Sequence, residues 1–247
     1  MFPEFEIFKT KGMKKIQLIA LSLFVACTVL AQQVNDPNAV VREARDFHGI
    51  SVSSAFDVYI TAGSTEAVAV SAVDEKSRER ITVEVKAGIL HIGFDSKGLN
   101  WAKGNKKLKA YISYKAIDRL QVSGACDVYI TGTLKADHLD IKQSGASDLR
   151  GKLEVDKLTV DLSGASDLMV SGMARQASIE VSGASDFKGY DLVTEICDAR
   201  ASGASDIKIT VNKEISASAS GASDVRFKGQ GVIRDLKSSG SSSVSKG

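Results

Sequence analysis

Ser144-Gly145-Ala146-Ser147-Asp148 returns at Ser163 to Asp167, Ser182 to Asp186, Ser202 to Asp206 and Ser220 to Asp224, each time as Ser-Gly-Ala-Ser-Asp. Ahead of these lies Ser123-Gly124-Ala125-Cys126-Asp127, and behind them a worn copy, Ser239-Gly240-Ser241-Ser242-Ser243. The glycines are 21, 19, 19, 20, 18 and 19 residues apart. Self-similarity at a short fixed period is the mark of a solenoid, in which each repeat buries its apolar face against its neighbours.

The residues around each motif say which kind of solenoid. Leu158, Val160 and Leu162 alternate with Thr159 and Asp161, and Ala177, Ile179 and Val181 alternate with Ser178 and Glu180. Period two marks a strand with one buried face. After the Asp the alternation resumes with Val128, Leu149, Leu168, Phe187, Ile207 and Val225. A glycine corner therefore joins short strands, two or three to a coil. A coil of 18 to 21 residues has no room for a strand and a substantial helix, so the expected fold is all-β, a right-handed parallel β-helix with coils of about 19 residues stacked at about 4.8 Å.

Stacking turns repeats into columns. Leu120, Ile141, Val160, Ile179, Ala199 and Ala217 form one interior column; Gln121, Lys142, Asp161, Glu180, Arg200 and Ser218 form the exterior column beside it. Cys126 and Cys197 fall three to four coils apart, roughly 14 to 19 Å, beyond the reach of a disulfide. Two free, buried thiols are expected.

Residues 34 to 117 carry one relic of the pattern. Val52-Ser53-Ser54-Ala55-Phe56-Asp57-Val58-Tyr59-Ile60 matches Val122-Ser123-Gly124-Ala125-Cys126-Asp127-Val128-Tyr129-Ile130 at a constant offset of 70 residues. Longer strands, such as Ala67 to Ala72 and Ile81 to Ile92, are expected to continue the solenoid and cap its first coil, because an uncapped end is an open sheet edge. Residues 32–247 are read as one domain.

The segment before it reads as an export signal. Met13-Lys14-Lys15 opens an apolar run, Ile16 to Leu30, that closes on the small Ala31; residues 1–12 read as an upstream extension. Cleavage after Ala31 is one reading. Val25-Ala26-Cys27 as a lipoprotein box is the other, and the apolar Thr28-Val29-Leu30 speaks against it. Lys9, Lys11, Lys14 and Lys15 against Glu4 and Glu6 leave this segment at +2, the formal charge of the whole chain. A neutral body lacks the basic face that nucleic-acid binding needs.

Several constellations invite chemistry. The column Asp127, Asp148, Asp167, Asp186, Asp206 and Asp224 suggests calcium, but calcium β-rolls repeat every nine residues or so with several ligands per turn, and this repeat offers one carboxylate per coil. Bare carboxylates stacked at 4.8 Å would repel by about 0.9 kcal/mol in water and about 3.5 at an effective dielectric of 20. Arg150, Lys188, Lys208 and Arg226, two residues beyond the Asp on the same face, can neutralise them; Tyr129 and Met169 are the exceptions. The column is expected to be a structural turn ladder.

Spacings that vary by only three residues leave no loop to wall a catalytic groove, and catalysis is not expected. His48, His91 and His138 belong to no metal or nucleophile motif, no glycine opens a phosphate-binding helix, and no cofactor is implied. The remaining candidate for ligand contact is the stretch Lys97 to Lys109, where Trp101 stands among Lys103, Lys106 and Lys107 and could meet glycans or anionic headgroups. The competing reading is a solvated loop covering the end of the solenoid.

The leader, Phe47-His48-Gly49-Ile50-Ser51-Val52, Phe56-Asp57-Val58-Tyr59-Ile60 and the Ser-Gly-Ala-Ser-Asp coils together resemble the putative auto-transporter adhesin, head GIN domain family, over roughly residues 45 to 230. The resemblance implies an exported β-helical protein of a Gram-negative cell envelope, in the periplasm or at the surface, whose partner is a protein or glycan of that envelope or of a host. A glycan-binding module and a degenerate β-helical polysaccharide-active enzyme are the alternatives. A self-transporting protein would continue into a membrane barrel. This sequence ends at Gly247 after a Ser-rich stretch, so separate machinery is expected for passage to the surface.

Overall fold

The computed structural model describes residues 36–98 and 107–247. In chain order these form β1 (Val40–Arg42), β2 (Gly49–Val52), β3 (Phe56–Ala62), β4 (Ala67–Ser71), α1 (Glu75–Glu79), β5 (Ile81–Lys86), β6 (Ile89–Phe94), β7 (Leu108–Tyr114) and β8 (Arg119–Val122). The regular part follows: β9 (Asp127–Gln143), β10 (Asp148–Leu162), β11 (Asp167–Val181), β12 (Asp186–Ala201), β13 (Asp206–Gly221), β14 (Asp224–Lys228), β15 (Val232–Gly240) and β16 (Ser243–Lys246). Consecutive rungs from β9 to β13 pair in parallel, and every Asp of the ladder lies beside the next. The chain is a β-solenoid of about seven turns.

Each rung is one long hydrogen-bonded ladder rather than separate short strands. A straight strand of the 15 residues of β10 would reach about 50 Å, yet four corner residues return it to its own start, so it wraps. The burial pattern shows where. Inward and outward residues alternate until two neighbours both face out, at Asp137-His138, Asp156-Lys157, Glu195-Ile196 and, with Arg175-Gln176, at the same place in every rung. A second slip falls at Thr131-Gly132, Ser171-Gly172 and Tyr190-Asp191. With the Ser-Gly-Ala-Ser corner this makes a three-sided coil: the first side runs from the Asp, the third into the corner.

At each corner stacked on a preceding one the glycine is obligatory; Ser54, with φ 94°, holds the place only in the first coil. Gly145, Gly164 and Gly183 have φ of 85°, 80° and 77°, and the carbonyl of each accepts the amide of the Ala in the next coil at 2.7 to 2.8 Å. A Cβ on Gly164 would stand 2.4 Å from the Gly145 oxygen. The worn copy obeys the same geometry: Gly240 has φ 76° and Ser241 donates to Gly221 at 2.8 Å. The Ser-rich stretch thus builds a seventh corner.

The second Ser of the motif points into the core. Ser147, Ser166, Ser185, Ser205 and Ser223 are buried and satisfied by backbone: Ser166 Oγ donates to Ser163 O at 3.1 Å, and Ser223 Oγ contacts Ser220 O at 2.8 Å and Ala201 O at 3.1 Å. Cys126 holds the equivalent place, its Sγ 3.4 Å from Ser123 O. We therefore expect Ser166→Ala to cost about 1–2 kcal/mol, because it orphans a buried partner, and Ser166→Cys to cost less than about 1 kcal/mol; urea melts of the two variants check the order.

Both columns read from the sequence hold. Leu120, Ile141, Val160, Ile179, Ala199 and Ala217 are buried, while Lys142, Asp161, Glu180 and Arg200 are exposed. The N-terminal cap departs from expectation in one place. The stretch Ile81 to Ile92 is not one strand but the β5–β6 hairpin, turned at Ala87 (φ 50°) and Gly88 (φ 74°); two consecutive positive φ values make a two-residue hairpin turn whose twist matches its strands. β4 pairs antiparallel to β7, and β1 to β4, closing the first side.

Cys126 and Cys197 are both free and buried. Burial pushes the Cys197 thiol up to about 12 and raises that of Cys126 as well. Unfolding returns Cys197 to the ordinary value of 9.0, so its contribution to stability is complete below pH 9 and is lost as pH rises from there toward 12; Cys126 acts in the same direction. Neither thiol is expected to react with an aromatic disulfide reagent at pH 8 in the native state, and both are expected to react in denaturant.

Candidate functional site

The first side of the solenoid carries two outward columns. One is Asp57, Asp127, Asp148, Asp167, Asp186, Asp206 and Asp224, in register from β3 through β14. The relic at Asp57 thus extends the ladder by one rung. The other column, two residues on, runs Tyr111, Tyr59, Tyr129, Arg150, Met169, Lys188, Lys208 and Arg226.

Through the later rungs Arg150, Lys188 and Arg226 neutralise the carboxylates beside them, whereas Lys208, expected to do the same, makes no ion pair among the described residues. Arg150 Nη2 lies 3.3 Å from Asp148; Lys188 bridges Asp167 and Asp186, the latter at 3.4 Å; Arg226 spans Asp206 at 3.2 Å and Asp224 at 2.5 Å. The Asp167 carboxylate raises the Lys188 pKa. Hydrogen bonds from Ser243, 2.6 Å from its Oγ and 3.2 Å from its N–H, lower that of Asp224. A depressed carboxyl stabilises the fold at pH above its unfolded value and loses that contribution as pH falls through the folded one. Ser243→Ala is expected to move the Asp224 titration up toward 3.8 in carboxyl NMR; an unmoved midpoint contradicts the assigned cause.

The early rungs differ. Tyr111, Tyr59 and Tyr129 stack at centroid distances of 5.3 and 5.4 Å with interplanar angles of 13° and 17°. Among the described residues, neither Asp57 nor Asp127 has an ion-pair partner. Tyr111 donates to Asp36 at 2.9 Å, and burial together with that carboxylate drives its pKa far above the usual phenol range, so it stays a neutral donor. Because Tyr59 is stacked on both faces and the Tyr111 hydroxyl is held by Asp36, the stack offers ring edges more than a flat platform for a sugar ring.

The other candidates separate. Trp101, Lys103 and Lys106 lie outside the described residues; Lys107 is exposed, with φ 44°, just before β7. His48 meets Asp118 at 3.0 Å, while His91 and His138 lie exposed on other strands. A depression on the second side, about 480 Å³, is lined by Asp137, Glu154, Asp156 and Glu195; the last three are each held by a cation, Lys135 at 2.8 Å, Arg175 at 2.7 Å and Lys213 at 2.7 Å, which leaves Asp137 as the one carboxylate there without an ion pair among the described residues. A glycosidase needs two carboxyl groups free to act as acid and as base or nucleophile, and one unpaired carboxylate does not supply them. Among the described residues no group of three His, Cys, Asp or Glu side chains could hold a metal ion, and no helix is long and apolar enough to cross a membrane, which says nothing of β-barrels.

Sequence reasoning missed the tyrosine stack. The offset of 70 residues aligns Tyr59 with Tyr129 and was the available signal; Tyr111 comes from β7, outside any repeat.

The sequence family described as "Putative auto-transporter adhesin, head GIN domain" matches residues 46–231. Among solved structures, a putative adhesin from Bacteroides fragilis NCTC 9343 is similar at TM-score 0.75 and 24% identity, over 85% of this chain and 98% of that one. A putative adhesin from Parabacteroides merdae ATCC 43184 is similar at 0.65 and 18%, over 84% and 95%. A putative lipid binding protein from Parabacteroides distasonis ATCC 8503 is similar at 0.64 and 19%, over 85% and 97%. At these identities the likeness is one of fold. No curated protein matches the sequence.

Proposed function

Because the chain belongs to the family "Putative auto-transporter adhesin, head GIN domain", we propose that it is an exported, non-catalytic binding module of the cell envelope that engages a protein partner through the first side of its solenoid. The observation that carries this reading is the unbroken in-register pair of columns on that side, from Tyr111 and Asp57 to Arg226 and Asp224. Such a wall suits an extended contact.

Affinity would concentrate in the tyrosine end. Stacked aromatics are rigid, amphipathic and already ordered, the properties of residues that dominate interfaces. The carboxylates of Asp57 and Asp127 beside them would select a basic segment on the partner, whereas the Arg150 to Arg226 stretch is self-neutralised and would add area and register. Mutual stacking of the rings favours a protein over a glycan. The leader at residues 13–31 supports export, and residues 32–247 would be the exported domain.

The test is binding of the purified chain to immobilised collagen, fibronectin and laminin, with a glycan array and anionic vesicles in parallel. Retention on a protein surface, weakened about tenfold or more by Tyr59→Ala with Tyr129→Ala, is the expected result. Retention on glycans or vesicles alone, or protein binding that ignores the tyrosines, would overturn it.

A further inference from the structure

The two ends of the solenoid are built differently. β1, β4, α1 and the β5–β6 hairpin cover the N-terminal end. At the other end, among the described residues, β15 pairs only with β13 and β16 only with β14, so both present a free edge. Residues that occupy core columns stand in solvent there. Ile233, in register with the buried Ile215, is 48% exposed, and Leu236, in register with the buried Ala217, is 38% exposed.

We propose that this end binds a second copy of the chain, tail to tail about a two-fold axis through Leu236, with β15 of one copy antiparallel to β15 of the other. The charges on β15 select that register. Leu236 faces in, and Asp235 and Lys237 face out, joined to each other at 2.6 Å. An antiparallel pairing centred on Leu236 sets Asp235 opposite the partner's Lys237 twice, and buries Leu236 against the partner's Leu236. Centring on Asp235 or on Lys237 would set like charges face to face, which is unfavourable. The pairing lies beyond the irregularity between Ile215 and Ser216 that leaves Arg234 unmatched.

The shape of the end agrees. The last coil is a ramp: β16 stands a rung above β14 on the first side, β15 closes the third side, and the second ends in the short Gly229-Gln230-Gly231. A two-fold through the middle of the third side exchanges the other two. The raised β16 of each copy therefore lies over the recessed second side of its partner. The contact is isologous and closes on itself.

Sedimentation velocity of the purified chain over a micromolar concentration series tests this. A species of twice the monomer mass is expected. Asp235→Lys and Lys237→Asp should each weaken it about tenfold, since two symmetric contacts turn from attraction to repulsion, with thermal melting confirming that the exposed substitutions leave the fold intact. The double variant restores complementarity and should restore the dimer. A wild-type monomer throughout, single variants that dimerise as the wild type does, or a double variant that stays monomeric would each overturn the proposal.

Discussion

Gly164→Ala is expected to destabilise the chain by about 3 kcal/mol or more, a fall of roughly 6–12 °C in Tm for a domain of this size. Two causes act together. The residue has φ 80°, a left-handed conformation that costs a side chain about 1–2 kcal/mol. The added Cβ would also stand 2.4 Å from the Gly145 carbonyl oxygen and 2.9 Å from its nitrogen, and backbone cannot step aside without breaking the Ala165 to Gly145 hydrogen bond of 2.7 Å. Gly132 separates the causes. It has the same φ of 80°, but a Cβ added there would meet nothing within 4 Å, so Gly132→Ala should cost only about 1 kcal/mol. Equal losses at the two sites in thermal melts would show that coil contact at the corner contributes nothing.

The second large effect lies in the core. Phe187 is fully buried, in register with Leu168 and Ile207, and its ring fills the space opposite Gly189, where a Cβ would come within 2.3 Å of it. Phe187→Ala should cost about 3–5 kcal/mol, through lost burial plus the cavity left behind. Phe187→Leu restores the residue type of the adjacent rung and should cost less than about 1.5 kcal/mol. Chemical denaturation of both variants checks the difference; an alanine variant no weaker than the leucine variant would mean that the coil collapses around the vacancy.

Much of this architecture was legible because a solenoid converts sequence period into spatial column. Once the glycines were aligned, Val160 and Asp161 had to fall on opposite faces, and so did their counterparts in every coil. The same logic paired Arg150, Lys188 and Arg226 with the Asp ladder. What the repeat does not encode stayed hidden. The three sides of the coil depend on phase slips such as Asp156-Lys157, where two polar residues in succession look like ordinary surface. The β5–β6 hairpin turns on Ala87-Gly88, in which alanine masks the positive φ that glycine or asparagine would advertise. The tyrosine stack needs β7, whose place beside β3 follows from no periodicity. The interior Ser column was open to deduction, since an outward Asp sets the residue before it inward; a serine facing a core is simply not what composition suggests.

The central claim is that coils one period apart lie one strand spacing apart, in register, along the whole body. Spin labels on the exterior column measure it directly. Gln121 and Ser218 are joined through Lys142, Asp161, Glu180 and Arg200 by consecutive parallel pairings. Labels placed at these two sites by cysteine substitution leave the buried Cys126 and Cys197 untouched. The separation expected between the labelled backbones is about 24 Å, falling to about 19 Å when Lys142 replaces Gln121 as the first site. Distances that do not shorten by about one strand spacing per coil would contradict the stacked register on which the binding face and the tail-to-tail contact both rest.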